Sequence, residues 1–342
     1  MTFLKNCWYA VAHSGELSHN PLSRTILSTP LVLYRTEAGL PVALNDRCPH
    51  RFAPLSEGKV LGDQIRCLYH GLRFAPDGKC ADNPCGTGKI PSLAKVTSYS
   101  LREVDGIVWL WYGDMAPDES RIVRFDEFGQ LDRWAPSEFV LSIAANFMLV
   151  SDNLMDLTHA EFLHPTLAKE GYAKRTIASV KQEADTVISI SERTNEPIAP
   201  FSRLSMGGEN APDRIDRTTK VTWNAPANLR FDMSDRPVGE MFENGSRSVS
   251  AHLITPETES SCFYFYKVVR NWLIDSEETG KLYRDGAYKA FNNEDRVMIE
   301  AQQRSMRGST FDELKPVLLE TDLGSTLTRR ILSSKLKAQG AM

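Results

Sequence analysis

The chain has 342 residues, which is long for one hydrophobic core and natural for two. Its 42% hydrophobic and 25% charged residues exclude a disordered or fibrous chain, and 40 basic against 44 acidic side chains leave a net charge of −4, with no general attraction to nucleic-acid backbones. Six cysteines are too sparse for a disulfide scaffold, and no run is long and apolar enough to span a membrane, so a cytoplasmic protein without a membrane or nucleic-acid partner is expected.

From Asn6 to about Tyr112 the text consists of short apolar runs broken by Gly, Pro, Asn and Asp. Strands are expected at Pro30 to Tyr34, Pro41 to Asn45, Gln64 to Cys67, Leu72 to Phe74 and Gly106 to Tyr112. The last run closes on Gly113-Asp114, and the polar stretch from Met115 to Ser120, with Pro117, reads as a linker. The expected division is therefore 1–115 and 116–342. Beyond it, Phe147 to Ala160 and Leu282 to Met306 have helical length and periodicity, while Val187 to Ser191, Lys220 to Trp223, Ser248 to Ile254 and Phe263 to Val269 alternate as strands. The second half is α+β. The Gly-rich stretch Met206 to Asp216 reads as a surface loop, with a lid as the alternative, and Leu327 to Lys337 as a solvated basic helix, with reductase docking as the alternative.

Two groups of residues carry chemistry. Cys48-Pro-His50 and Cys67-Leu-Tyr-His70 are short loops sixteen residues apart, each offering one thiolate and one imidazole. A common zinc finger draws two cysteines from one loop and two histidines from the other. A two-iron, two-sulfide cluster with cysteines on one iron and histidines on the other suits one of each per loop; a mixed structural zinc site is the alternative. Cys7, Cys80, Cys85 and Cys262 are scattered and read as structural.

The second group is Asn153-Leu-Met-Asp156-Leu-Thr-His159, followed by His164-Pro165. On a regular helix, residues five apart diverge by roughly 140°. His164 must therefore leave the helix to share a metal with His159, and Pro165 favours that exit, because a residue before proline avoids the α region. Nothing in the chain resembles a Gly-x-Gly-x-x-Gly dinucleotide fingerprint, a phosphate loop or a four-cysteine ferredoxin site, so electrons from NAD(P)H have to arrive through another protein.

These motifs, with Asn6-Cys-Trp-Tyr9, Thr255-Pro-Glu-Thr258 and the closing helix, resemble the terminal oxygenase components of Rieske non-haem iron oxygenases, most closely the vanillate O-demethylase and dicamba monooxygenase branch. The extra loop cysteines of respiratory Rieske proteins are absent, as in the lower-potential branch. The resemblance implies a β-rich Rieske domain followed by a helix-grip-like catalytic domain, an antiparallel sheet wrapped around a long C-terminal helix. Cys48, His50, Cys67 and His70 would hold the [2Fe-2S] cluster. His159, His164 and a distant carboxylate would hold mononuclear Fe(II) for reaction with O2; Asp295 aligns with the pattern, with Glu294 and Glu300 as rivals.

Asp156 and Asn153 then take supporting roles. Asp156 is expected to accept hydrogen bonds from His159 and from the His70 of a neighbouring subunit, bridging electron transfer in a homotrimer. The implied reaction is O-demethylation or methyl hydroxylation of a small aromatic, carboxylate-bearing substrate. Ring cis-dihydroxylation and N-demethylation are alternatives with the same metals, and an electron carrier without the second iron is a third. A separate reductase or ferredoxin is the implied electron donor. Asn228 and His252 are the polar candidates for orienting the substrate.

Overall fold

Period-two alternation between turn residues builds the sheets that organise this chain, which the computed structural model describes over residues 3–340; the outer limits of the two expected domains, residues 1 and 342, lie outside them. Two compact units emerge. The first gathers residues 3–124 and 255–259, and the second residues 125–254 and those from 260 onward. The first unit thus runs past the expected linker. Trp8 Nε1 donates to the Asp118 carbonyl at 2.8 Å and Arg121 Nη1 to the Asn6 carbonyl at 2.9 Å, which holds residues 115–121 to this unit.

The first unit consists of small antiparallel sheets. Cys7–His13, Leu101–Val104 and Ile107–Tyr112 form a three-stranded sheet; its Val104–Ile107 hairpin turns through Asp105 and Gly106, both at positive φ (59° and 74°), the type I′ turn that Asp-Gly favours. Two four-stranded sheets follow. One is built on Thr29–Arg35 and Pro41–Asn45, and the other on Lys59–Leu61, Gln64–Arg66, Arg73–Phe74 and Cys80–Asp82. Val32, Tyr34, Leu44, Val60, Ile65 and Phe74 form one buried cluster that includes Cys48 and Cys67. The two thiols therefore belong to the core, while the rest of each Cys-His loop extends out of it.

The second unit is organised by one seven-stranded sheet. Its strands are β1 (Ala135–Ile143), β2 (Ile177–Glu183), β3 (Thr186–Pro197), β4 (Arg214–Asn224), β5 (Asn228–Pro237), β6 (Ser246–Pro256) and β7 (Cys262–Arg270), in the spatial order 1-7-6-5-4-3-2. Strands β2 to β7 make an antiparallel meander, and β1 closes on β7. The four expected strands are inside β3, β4, β6 and β7. The surface-loop expectation for 206–216 holds as far as residue 213, with a 3-10 turn at Gly208–Asn210 and Ala211 packed with Ile198 and Ile215; from Arg214 the chain is already β4.

The helices that matter for the site are α1 (Phe147–Met155), α2 (Ala160–Leu163), α3 (Glu277–Tyr288), α4 (Arg296–Ser305) and α5 (Leu323–Ala338), with further short helices and turns between. The expected helix at 147–160 is broken at Asp156 (φ −123°, ψ 102°) into α1, a 3-10 turn at Leu157–His159, and α2. The expected helix at 282–306 is continuous from α3 to α4 but carries a π turn at Lys289–Asp295. Phe291 of this turn packs on Tyr264 and Tyr266 of β7 (ring centroids 5.4 and 5.2 Å), which seats the helix on the sheet. Helix α5 is not a solvated rod, since Gly324, Ser325, Thr328, Ile331 and Leu332 form a buried stripe and Arg329 grips Asp152 of α1 (Nε to Oδ2 2.9 Å).

Candidate metal centres and substrate cavity

The two Cys-His loops share one backbone design. The Cys48 N–H donates to the Ala53 carbonyl and Phe52 N–H returns to the Cys48 carbonyl, both at 2.9 Å; Cys67 repeats this with Leu72 (2.9 Å) and Gly71 (3.0 Å). The residue four past each cysteine has positive φ, 62° at Phe52 and 79° at Gly71. Both cysteines are free and buried, His50 is exposed and His70 half-buried, and the two imidazoles meet edge to face at 4.4 Å. Burial, joined by the adjacent Cys67, pushes the Cys48 thiol up to about 11 against the pull of the His50 and Arg51 backbone N–H groups. Two interior thiols with two outward imidazoles fit a cluster that is cysteine-ligated inside and histidine-ligated at the surface. Cys85, expected to be structural, is exposed beside this site, its Sγ 3.5 Å from the His70 carbonyl.

The second centre is assembled by the helix break and the π turn. Asp156 ends α1, and its Oδ1 accepts from the Thr158 N–H (2.9 Å) and hydroxyl (2.7 Å), an Asx turn that sets the 3-10 segment. His159 projects from that segment, and His164 leaves α2 at φ −121°, ψ 77°, just before Pro165. Their Nε2 atoms face one carboxylate oxygen, Asp295 Oδ1, at 3.4 and 3.1 Å. Ligands at right angles about 2.0–2.2 Å from a single ion are about 3 Å apart, so these separations suit one face of a metal. Each Nδ1 is anchored, His159 to the Asp156 main-chain carbonyl and His164 to Glu294 Oε2, both at 2.7 Å. Burial favours protonation of Asp295, but the two imidazoles outweigh it and hold the carboxyl at about 2.

The candidate residues from the sequence separate here. His159, His164 and Asp295 converge, with ligand atoms within 4.8 Å of one another. Asn153 joins them, its Nδ2 donating to Asp295 Oδ1 at 3.0 Å. Glu294, a rival ligand in sequence, instead orients His164. Glu300 is occupied elsewhere, accepting from the Ala144 N–H at 3.0 Å. The expected His159–Asp156 hydrogen bond exists, but through the main-chain carbonyl; the carboxylate turns to Thr158 because the chain there leaves the helix.

Asn153, His159, His164 and Asp295 open into a cavity of about 150 Å³. Its sheet wall alternates strictly: Arg217 and Thr219 from β4, Phe231 and Met233 from β5, and Ser248, Ser250 and His252 from β6. His252 is thus at the cavity, buried, with Nε2 bonded to Ser250 Oγ at 2.8 Å and Nδ1 to Tyr264 Oη at 2.6 Å. Burial pulls its pKa down to about 3, so the ring is neutral. Asn228 is not among the lining residues; an odd number of positions separates it from Phe231 and Met233 on β5, which turns it to the opposite face. Arg217 and its register partner Asp235 were not legible as site residues, because their pairing depends on strands distant in sequence.

Residues 7–99 match the Rieske [2Fe-2S] domain family, and residues 143–338 the vanillate O-demethylase oxygenase C-terminal domain family. The chain is 38% identical to the oxygenase component of chloroacetanilide N-alkylformylase from Rhizorhabdus wittichii, over 99% of this chain and 97% of that one. It is 36% identical to the dicamba O-demethylase oxygenase component of Stenotrophomonas maltophilia, over 94% of both. The crystal structure of dicamba monooxygenase bound to 3,6-dichlorosalicylic acid superposes with a TM-score of 0.94 at 33% identity, covering 100% of each chain. No helix among the described residues is long and apolar enough to cross a membrane. With paired Cys-His loops in its first unit and a two-histidine, one-carboxylate face in its second, the chain belongs to the vanillate O-demethylase family of Rieske non-haem iron oxygenases, as the oxygenase component of a multicomponent monooxygenase.

Proposed function

We propose that this oxygenase component oxidises an alkyl carbon carried by a small aromatic molecule, removing it from oxygen or nitrogen or hydroxylating it on the ring. The observation that carries the reading is the opening of the His159, His164 and Asp295 face into a one-ring cavity walled by Phe201, Phe231 and Phe291. A cavity of about 150 Å³ accepts benzene in another protein, and this one has that size. The names of two relatives, an O-demethylase and an N-alkylformylase, both denote chemistry at an alkyl group on a heteroatom.

Cys48, His50, Cys67 and His70 would hold the cluster, and His159, His164 and Asp295 the ferrous ion. When bound, these groups supply single electrons and dioxygen reduction beside the substrate. The chain's own residues prepare the site. Glu294 and the Asp156 carbonyl fix the imidazole orientations, Asn153 restrains Asp295, and the aromatic walls hold the ring and exclude water. Electrons come from NAD(P)H through a separate flavin or ferredoxin protein in the cytoplasm, since the chain has no dinucleotide fingerprint.

The working unit is a head-to-tail trimer in which Asp156 meets the His70 of the neighbouring subunit. Three observations support it. Asp156 is only half-buried and its Oδ2 has no hydrogen bond among the described residues; the Rieske loops expose Phe52 (70%) and Tyr69 (64%); and Phe162, beside the proposed iron ligands, is 81% exposed.

The test is a single turnover. The protein is reduced chemically without oxygen, mixed with methoxy-, N-alkyl- and methyl-substituted arenes, exposed to oxygen and assayed for aldehyde and hydroxylated products. Aldehyde with the matching phenol or amine is the expected outcome. Cluster reoxidation without any product, in protein holding three irons per chain, overturns the alkyl-arene reading.

A further inference from the structure

The polar groups of the cavity allow a finer statement, which rests on reading this cavity as the substrate site. We propose that it takes an uncharged aromatic ether or N-alkyl amide, and discriminates against the aromatic carboxylates that the family resemblance implies.

Besides the metal-ligand set, the one charged side chain among the lining residues is Arg217, and it is already engaged. Its Nε donates to Asp235 Oδ1 at 2.6 Å and Nη2 to Asp235 Oδ2 at 2.8 Å, a bidentate pair between residues directly opposite on β4 and β5. Nη1 donates to the Leu167 carbonyl at 3.2 Å, and Nη2 also reaches Ser202 Oγ. Four donor interactions occupy a guanidinium that has five N–H groups. Arg217 and Asp235 are both buried, so the pair contributes no net charge. Turning Arg217 toward a ligand carboxylate would leave Asp235 buried without its partner, the arrangement that is most costly for a buried ion pair.

His252 cannot take the cation's place. Both ring nitrogens are used by Ser250 and Tyr264, and the ring is stacked on Phe231 at 4.0 Å with Phe291 edge-on at 5.6 Å. The remaining polar surface is uncharged: the Asn153 amide, which donates to Asp295, and the hydroxyls of Tyr172, Thr219, Ser248, Ser250, Tyr266 and Tyr283. Hydroxyls suit an ether oxygen or amide carbonyl, which needs one donor, whereas an anion taken from water against this wall would meet no unpaired cationic side chain, leaving the proposed ferrous ion as its opposite charge. Asp295, itself a carboxylate on the same cavity, would cancel one of that ion's two positive charges.

A matched pair of probes tests this. 3-Methoxybenzamide and 3-methoxybenzoate are nearly the same size and differ by one charge at pH 7.5. Their binding to the cluster- and Fe(II)-loaded protein is measured without oxygen by equilibrium dialysis. The amide is expected to bind at least 10-fold tighter. Benzoate binding as tightly or more tightly overturns the proposal and leaves the cavity as the substrate site. Binding of neither probe overturns the reading of the cavity itself. Asp235→Asn, which releases Arg217, should move the amide-to-benzoate ratio toward benzoate by 10-fold or more, and an unchanged ratio in folded variant overturns the role given to the pair. The wild-type comparison stands without the variant if it does not fold.

Discussion

His164 has one ring nitrogen toward Asp295 and the other on Glu294, so two adjacent helix residues hold a single imidazole from both sides. Glu294 fixes which nitrogen is free for metal. Glu294→Gln should keep the fold and cluster absorbance but weaken ferrous-ion affinity roughly 10–100-fold, the usual cost of losing such a partner. An Fe(II) titration of the apo second site reads this directly, and unchanged affinity would remove Glu294 from the site. Asp156 divides its work, its carbonyl orienting His159 and its carboxylate holding Thr158. Asp156→Asn can keep both local contacts, so the variant should retain three irons per chain yet lose steady-state turnover; normal turnover would sink the intersubunit bridge. At this scale the convergence of His159 and His164 and the pairing of the two Cys-His loops were legible because their spacing is a chemical constraint. Glu294 was ambiguous because a candidate ligand and that ligand's partner both carry a carboxylate, one position apart, and Asn228 was misplaced because strand parity was not known for β5.

The elements that aim these side chains are irregular, and the irregularity has specific causes. Gly71 sits at φ 79°, and a Cβ there would lie 2.7 Å from Pro84 Cγ. Gly71→Ala should therefore lower stability by about 1–2 kcal/mol from the left-handed backbone alone, with more from the clash, and reduce cluster content. Phe52→Gly at the equivalent place should be tolerated, since glycine accepts that backbone freely. Thermal melts and acid-labile sulfide per chain distinguish the two, and equal losses would contradict the argument. Pro165 made the exit of His164 readable in sequence, whereas the break at Asp156 was not, because its cause is one side chain capping Thr158. The π turn left no trace in the apolar periodicity of 282–306, although it ends on Asp295.

For the molecule as a whole, the buried neutral His252 links stability to pH. Its pKa is about 3 when folded and about 6.5 when unfolded, so the unfolded chain binds the extra proton between these values. The contribution is fully present above pH 6.5 and is lost as pH falls toward 3, at no more than about 1.4 kcal/mol per unit. Urea unfolding between pH 7 and 4.5 should show a steeper acid loss for the native chain than for His252→Gln, and parallel curves would show that the imidazole is protonated in the folded state. The α+β class was readable from the change of pattern near residue 120. The unit boundary was not, because contacts such as Trp8 to Asp118 and the inclusion of residues 255–259 join segments remote in sequence.

The alternation of the cavity wall also bears on how this enzyme can be altered. Thr219, Met233 and Ser248 lie in one cross-strand row, and Phe231 opposes Ser250 in another. Each lies between neighbours that face away, and none of the five is a proposed metal ligand. With the cavity as the proposed substrate site, substrate range should be open to redrawing by exchanging side chains at these five positions in combination. The hydrogen-bonded ladder, the opposite face of the sheet and the metal centre would pass unchanged from one variant to the next.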